Sequence, residues 1–337
     1  MNIGVPRETR DDEFRVSLVP RSVARLVDAG HAVYVEHGAG AAAGFSSVKY
    51  RNAGAHMADG VARCDLVVGV KTPKLERLRD RSIVMAYLHV EKGQNPRTLG
   101  ILKRKRILSY AFEEIRDSNG NRLVNLGFEA GVVGIAEGLR AWGRRAGNGR
   151  NGNPFRHLKH VRDYGSKRRI YSDVARLNAG NGAKVVIMGR GRVSRGVQAL
   201  LRRTAIRPAV LWRTETANIE NYLDGVDILV NAVDWYPREP HIVKRSMLKS
   251  MKKTALVLDI SCDEKGAVET CVPTTWDDPI YEAEGINHLC ISNLPTAIPR
   301  DSSTRLSAMI LPHVMQVASG KELATGMMTR NGRFVYR

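Results

Sequence analysis

Residues 183–201, "AKVVIMGRGRVSRGVQALL", constrain the fold more than any other part of the chain. An apolar run leads into two glycines set two apart and then into an amphipathic pattern. That order predicts a buried strand, a tight turn and a helix. Gly189 suits the sharp turn, Gly191 lets a pyrophosphate approach the backbone, and the small Ser194 lets the helix pack on the strand. The helix N-terminus, with Arg192 and Val193 at its head, then faces the phosphates. The G-x-G-x-x-S turn therefore predicts a dinucleotide site.

The next strand, in "AVLWRT", ends in Arg213. An acid at this strand end accepts bonds from the ribose hydroxyls of NAD and repels a 2′-phosphate. The planar fork of an arginine does the reverse. Thr214 adds a hydroxyl donor. NADP is the expected cofactor, with NAD as the alternative.

Further strands follow in "GVDILVNAV", "TALVLDIS" and "NHLCISN", and the first 125 residues alternate in the same way. "NIGVP", "AVYVEH", "DLVVGVK", "SIVMAYLH" and "RILSYAFEE" read as strands separated by helices. Alternating strands and helices imply parallel sheets with helices on their faces. Ligands bind such sheets beyond the carboxyl ends of the strands. Lys71, His89 and Glu113 stand at three of those ends and predict a cleft. The expected class is α/β, with two doubly wound, Rossmann-like domains. Residues 1–126 with 301–337 form the substrate domain, and 127–300 form the dinucleotide domain. The glycine-punctuated helix at 125–143 bridges them. The long amphipathic helix near the C-terminus returns to the first domain.

The chain of 337 residues carries a formal charge of +19, which raises the question of nucleic acid. Much of the excess is local. Residues 144–169 hold nine Lys/Arg against one acid and are rich in Gly and Asn, so they read as a solvated, dispensable insertion. A second cluster, "KRKR", spans 103–106. Neither is interleaved with aromatics, so a specific nucleic-acid function is not expected. No apolar run reaches the roughly 20 residues of a membrane span, and the start shows no export signal, so the expected location is cytoplasmic. The four cysteines form no C-x-x-C pair, and no metal site is expected.

Long segments resemble one known superfamily: alanine dehydrogenase, saccharopine dehydrogenase (lysine-forming) and carboxyethylornithine synthase. "IGVPRETRDDEFRVSLVP", "VKTP" and "YLHVEK" resemble alanine dehydrogenase. "FEEIRDSNGNRLVNLGFEAGVVGIAEGLRAWG" and "NLPTAIPRDSSTRLSAMILPHVMQ" are closer to saccharopine dehydrogenase. "VLDISCDEKGAVET" is shared with alanine dehydrogenase and carboxyethylornithine synthase. The resemblance implies an active cleft between the two domains. By position it implies that Lys71, His89 and Asp263 are catalytic and that Arg15 grips a substrate carboxylate. Glu113 and Arg122 would flank the lysine and the keto-acid carboxylates, as in saccharopine dehydrogenase. Asn293 joins the cofactor contacts. Arg213 departs from the acid of NAD-dependent members and matches the arginine of carboxyethylornithine synthase.

These assignments imply an NAD(P)H-dependent opine-type reductase, joining an amino acid to a 2-keto acid through an imine. The first alternative is oxidative deamination, as in alanine dehydrogenase. The second is a non-catalytic NADP-binding protein. Small-molecule substrates are the expected partners, and a homo-oligomer is compatible with the resemblance, since members differ.

Overall fold

The computed structural model describes residues 1–91, 95–145, 152–177, 179, 182–236 and 239–336. It divides into two compact units, Met1–Asn125 with Pro299–Arg337, and Leu126–Ile298. Each is an α/β unit built on a mainly parallel sheet.

In the first unit the parallel strands are β1 (Asn2–Val5), β2 (Ala32–Glu36), β3 (His56–Ala58), β4 (Leu66–Lys71), β5 (Ile83–Tyr87) and β6 (Leu108–Ala111). Their spatial order is β3-β2-β1-β4-β5-β6, so the winding reverses between β1 and β4. The central strands are buried on both faces, which is why they read as continuous Val/Leu/Ile runs. The C-terminal strands β13 (Met327–Arg330) and β14 (Arg333–Phe334) add an antiparallel edge beside β6. The helix Pro299–Ala318 belongs to this unit. Its Ser303 and Ser307 hydroxyls accept the backbone N–H groups of Val16 and Val19 at 2.9 and 3.0 Å.

In the second unit the strands are β7 (Val185–Met188), β8 (Ala209–Leu211), β9 (Ile228–Asn231), β10 (Leu256–Asp259), β11 (Ile280–Ala283) and β12 (Ile286–Leu289). The order is β11-β12-β10-β9-β7-β8, with the reversal between β7 and β9 and only β11 antiparallel. The edge strands β3, β11 and β14, and β13 beside an edge, have no continuous apolar run and escape the sequence reading. The helix Gly127–Arg145 is buried on nearly every face. Its glycines permit that: a Cβ on Gly131 would stand 2.1 Å from the Val193 carbonyl oxygen, and one on Gly196 2.1 Å from that of Phe128. Here the two helices meet backbone to backbone.

The basic insertion needs correction. Residues 146–151 lie outside the described residues, but 152–169 are packed structure. Phe155, Leu158, Val161 and Tyr164 are buried in the core of the second unit with Val133, Leu139 and Trp142. A Cβ on Gly143 would collide with the Arg156 backbone nitrogen at 2.4 Å. Glu137, buried in the long helix, accepts the Val161 N–H at 3.0 Å. Charge and glycine content masked an apolar residue every three or so positions. The "KRKR" cluster is also structural: it ends the helix Pro96–Arg104, where cations meet the negative end of the helix dipole.

Candidate active site

In the first unit, Lys71 closes β4, Tyr87 closes β5, and Glu113 follows β6. Parallel register places these ends side by side, with Lys71 opposite Tyr87. The Lys71 ammonium lies 5.9 Å from the centre of the Tyr87 ring. Burial, helped by the Arg15 charge, lowers its pKa to about 8. Tyr87 stacks on the His89 ring at 6.1 Å and meets Phe112 edge-on. No motif pointed to Tyr87; its place two residues before His89 at a strand end is the signal.

His89 adopts φ +50°, a left-handed conformation that costs a non-glycine residue about 1 kcal/mol or more. Glu113 holds it there. Its Oε1 accepts the N–H groups of Leu88 at 3.0 Å and His89 at 2.6 Å, and stands 3.7 Å from the imidazole Nδ1. Burial raises the Glu113 carboxyl to about 7. The His89 side chain is half-exposed.

Arg15 is buried, and its Nε and Nη2 are bonded to the two oxygens of buried Glu13 at 2.6 and 2.5 Å. One edge of the guanidinium is thus engaged by Glu13. Arg15 acts on its surroundings as a buried positive charge, felt by Lys71 and Tyr87. Glu8, just past β1, accepts from the Val70 and Lys71 N–H groups at 2.7 and 3.2 Å, which ties β1 to β4 at the reversal point. Burial lifts its carboxyl to about 7. A cavity of 620 Å³ opens beside Glu8, Arg10, Glu13, Arg15 and Lys74. Arg122 lies 4.0 Å from buried Glu114, which also holds Arg116 at 3.0 Å and accepts the Tyr336 hydroxyl at 2.6 Å. The Arg122 charge still reaches Tyr87.

In the second unit, Gly189 follows β7 at φ +96°, and a Cβ there would meet the Ala232 carbonyl oxygen at 2.9 Å. Gly191 caps the helix Arg192–Leu201, and the space a Cβ would take is open. Ser194 is buried under the turn. An open approach at a helix N-terminus fits a dinucleotide pyrophosphate. Arg213 opens the short helix Arg213–Thr216 just beyond β8 and is exposed. Trp212 and Glu215 beside it were not singled out in the sequence. The Arg190 guanidinium lies over the half-exposed Trp212 ring at 4.7 Å and donates to the Val210 carbonyl at 3.1 Å. The Glu215 carboxylate accepts from the Trp212 N–H at 2.8 Å and from the Thr214 hydroxyl at 3.1 Å; its own backbone N–H first, and then these two, hold its pKa down. Asp263 sits in the loop after β10, and Asn293, at φ +62°, in the turn after β12.

The family model described as "Alanine dehydrogenase/PNT, N-terminal domain" matches residues 4–133, and the corresponding C-terminal domain matches 172–334. An alanine dehydrogenase of Halomonas elongata is 29% identical, covering 100% of this chain and 95% of its own. Alanine dehydrogenase 2 of Staphylococcus aureus is 30% identical, covering 98% and 94%. The chain belongs to the alanine dehydrogenase/PNT family. It is an oxidoreductase. A solved L-alanine dehydrogenase superposes with a TM-score of 0.80 at 26% identity, covering 100% of this chain and 97% of that one. A transhydrogenase from Sinorhizobium meliloti shares the fold, with a TM-score of 0.73 at 18% identity. Residues 134–171, which include the whole basic stretch, lie between the two matched segments of the family.

Proposed function

We propose that the chain is an amino-acid dehydrogenase, catalysing the reversible oxidative deamination of a small amino acid to a 2-keto acid and ammonia. The full-length likeness to alanine dehydrogenases favours this over the opine-type reduction expected from Glu113 and Arg122. The observation that carries it is the group at the ends of β4 to β6: Lys71, Tyr87, His89 and Glu113 beside Arg15. Two expected carboxylate grips are drawn inward, Arg15 to Glu13 and Arg122 towards Glu114.

The bound nicotinamide supplies the hydride acceptor. Lys71, with its ammonium lowered to about 8, alternates between forms near neutral pH. As amine it takes a proton from the substrate nitrogen; as ammonium it polarises the keto oxygen. His89 moves the proton of the water that adds to the substrate imine, and Glu113 fixes its backbone while it does so. Asp263 is assigned to the substrate and nicotinamide side. Gly189, Gly191, Arg192, Val193, Ser194 and Asn293 hold the dinucleotide, and Arg213 with Thr214 reads a 2′-phosphate, so the preferred form is NADP.

The test is a matrix of NADPH and NADH oxidation: pyruvate, glyoxylate and 2-oxoglutarate, each with ammonia, ornithine or lysine. Turnover of pyruvate or glyoxylate with ammonia is expected. Turnover that demands ornithine or lysine would restore the opine-type reading, and binding without turnover would leave a non-catalytic protein.

A further inference from the structure

Behind the loops that carry Asp263 and Asn293 lies a cluster with no counterpart in the chemistry above. Parallel pairing of β10 with β12 sets Leu258 opposite Leu289, so Asp259 and Cys290 emerge side by side. The turn after Val268 returns Cys271 to the same point. The thiols of Cys271 and Cys290 and a carboxylate oxygen of Asp259 lie within 4.8 Å of one another. All three residues are 0% exposed. The cysteines are unbridged.

The carboxylate is half satisfied. Asp259 Oδ1 accepts the N–H groups of Ser261 and Cys262, both at 3.0 Å. Oδ2 is buried and has no hydrogen bond of good geometry among the described residues, although the Cys271 thiol and Asn231 approach the carboxyl. None of the groups acting most strongly on this carboxyl is a cation. A buried carboxylate oxygen without a hydrogen bond among the described residues, with two buried thiols within 4.8 Å of that carboxylate, gathers three metal-ligating side chains at one point. His288, close by, is not a candidate ligand: its two ring nitrogens meet the Thr270 hydroxyl and the Ile286 carbonyl at 2.8 and 2.9 Å.

We propose that Asp259, Cys271 and Cys290 bind a divalent metal ion, with Zn²⁺ the best match to two thiolates and a carboxylate. Zinc takes sulfur at about 2.3 Å and carboxylate oxygen at about 2.0–2.2 Å, so donors at a tetrahedral edge stand roughly 3.5–3.8 Å apart. Binding releases the thiol protons and leaves Asp259 ionised. Cys262, whose thiol meets the carbonyls of Asp259 at 3.4 Å and Ile291 at 3.1 Å, is not one of the three gathered ligands. The metal would brace the turns after β10 and β12 against each other. Linear spacing hides the set, because its members are 12 and 19 residues apart.

The test uses the full-length chain, purified under reducing conditions without chelators or metal-affinity steps. Elemental analysis should find close to one zinc per chain. Stripping with a chelator should lower the melting temperature, and Co²⁺ added to the stripped protein should produce thiolate-to-metal charge-transfer absorption. Cys290→Ser and Asp259→Asn should each weaken Zn²⁺ binding more than about 100-fold, beyond the cost of losing a merely supporting residue. Zinc-free protein that also binds neither Zn²⁺ nor Co²⁺ after reduction overturns the proposal. So does a Co²⁺ spectrum without thiolate bands. Both of these outcomes are read on the wild-type chain, so a variant that fails to fold does not obscure them.

Discussion

Glu113 Oε1 accepts the backbone N–H of His89 at 2.6 Å, and His89 sits at φ +50°. A carboxylate one strand away therefore sets the backbone from which the imidazole projects. Glu113→Ala should release His89 and lower kcat by at least about tenfold, the order expected when an acid–base group is misplaced. Glu113→Gln keeps an acceptor for both N–H groups and should retain most of the activity. Equal losses in the two variants would mean that charge, not positioning, is what Glu113 supplies.

The same carboxyl sets a slope of stability with pH. Its folded pKa, about 7, exceeds the 4.5 of an unperturbed Glu, so the folded state holds more protons between those values. Glu113 thus supports the fold fully below pH about 4.5, and that support fades as pH rises through about 7. The loss is at most about 3 kcal/mol. Denaturant titrations of wild type and Glu113→Gln across this window should show a shallower decline in the variant; parallel curves would refute it.

Lys71 and His89 should separate binding from chemistry. His89→Ala and Lys71→Met are expected to lower kcat by roughly 100-fold or more while dinucleotide affinity stays within a few-fold. For wild type, the lowered Lys71 pKa gives opposite limbs in the two directions. Deamination needs the amine and should rise through pH about 8; amination needs the ammonium and should fall there. Profiles that move together would remove Lys71 from its role.

Much of the frame was legible because buried parallel strands leave long apolar runs that end in polar residues. Lys71, His89 and Glu113 could be placed from that pattern alone. What it could not carry was partnership. Arg15 reads as a carboxylate grip, and nothing in linear order says that Glu13, two residues away, folds back onto it. The packed part of the basic stretch was misjudged for a related reason. Phe155, Leu158 and Val161 are spaced for a 3₁₀ turn against a helix, and nine cations around them dominate composition. Replacing 152–169 by a neutral linker should therefore unfold the second unit rather than leave it intact, as circular dichroism and dinucleotide binding would report.

Gly131 and Gly196 test the contact that seats the dinucleotide helix. A Cβ on either would lie 2.1 Å from a backbone oxygen, and backbone cannot rotate away as a side chain does. Gly196→Ala should cost about 1–3 kcal/mol through overpacking, a fall of roughly 2–9 °C in Tm. It should also weaken dinucleotide binding, because the displaced helix carries Gly191 at its N-terminus. An unchanged Tm would mean that the two helices slide apart freely.

Arg213 is the residue proposed above to set the cofactor preference. It stands exposed beyond β8, flanked by Trp212, over which Arg190 lies, and by Glu215, whose carboxylate is bonded to Trp212 and Thr214. Two arginines there favour a 2′-phosphate; the Glu215 charge opposes it and would suit a ribose diol. Charged hydrogen bonds from Arg213 should contribute on the order of 1.5–3 kcal/mol. Arg213→Asp should then weaken NADPH by roughly 10- to 150-fold and move the ratio of kcat/KM towards NADH. The measurement belongs at fixed ionic strength, since the contact is screened by salt. Glu215→Gln should move the ratio the other way. A wild type that prefers NADH, with a ratio unmoved by Arg213→Asp but collapsed by Glu215→Gln, would assign the ribose to Glu215 and leave Arg213 as a solvated charge.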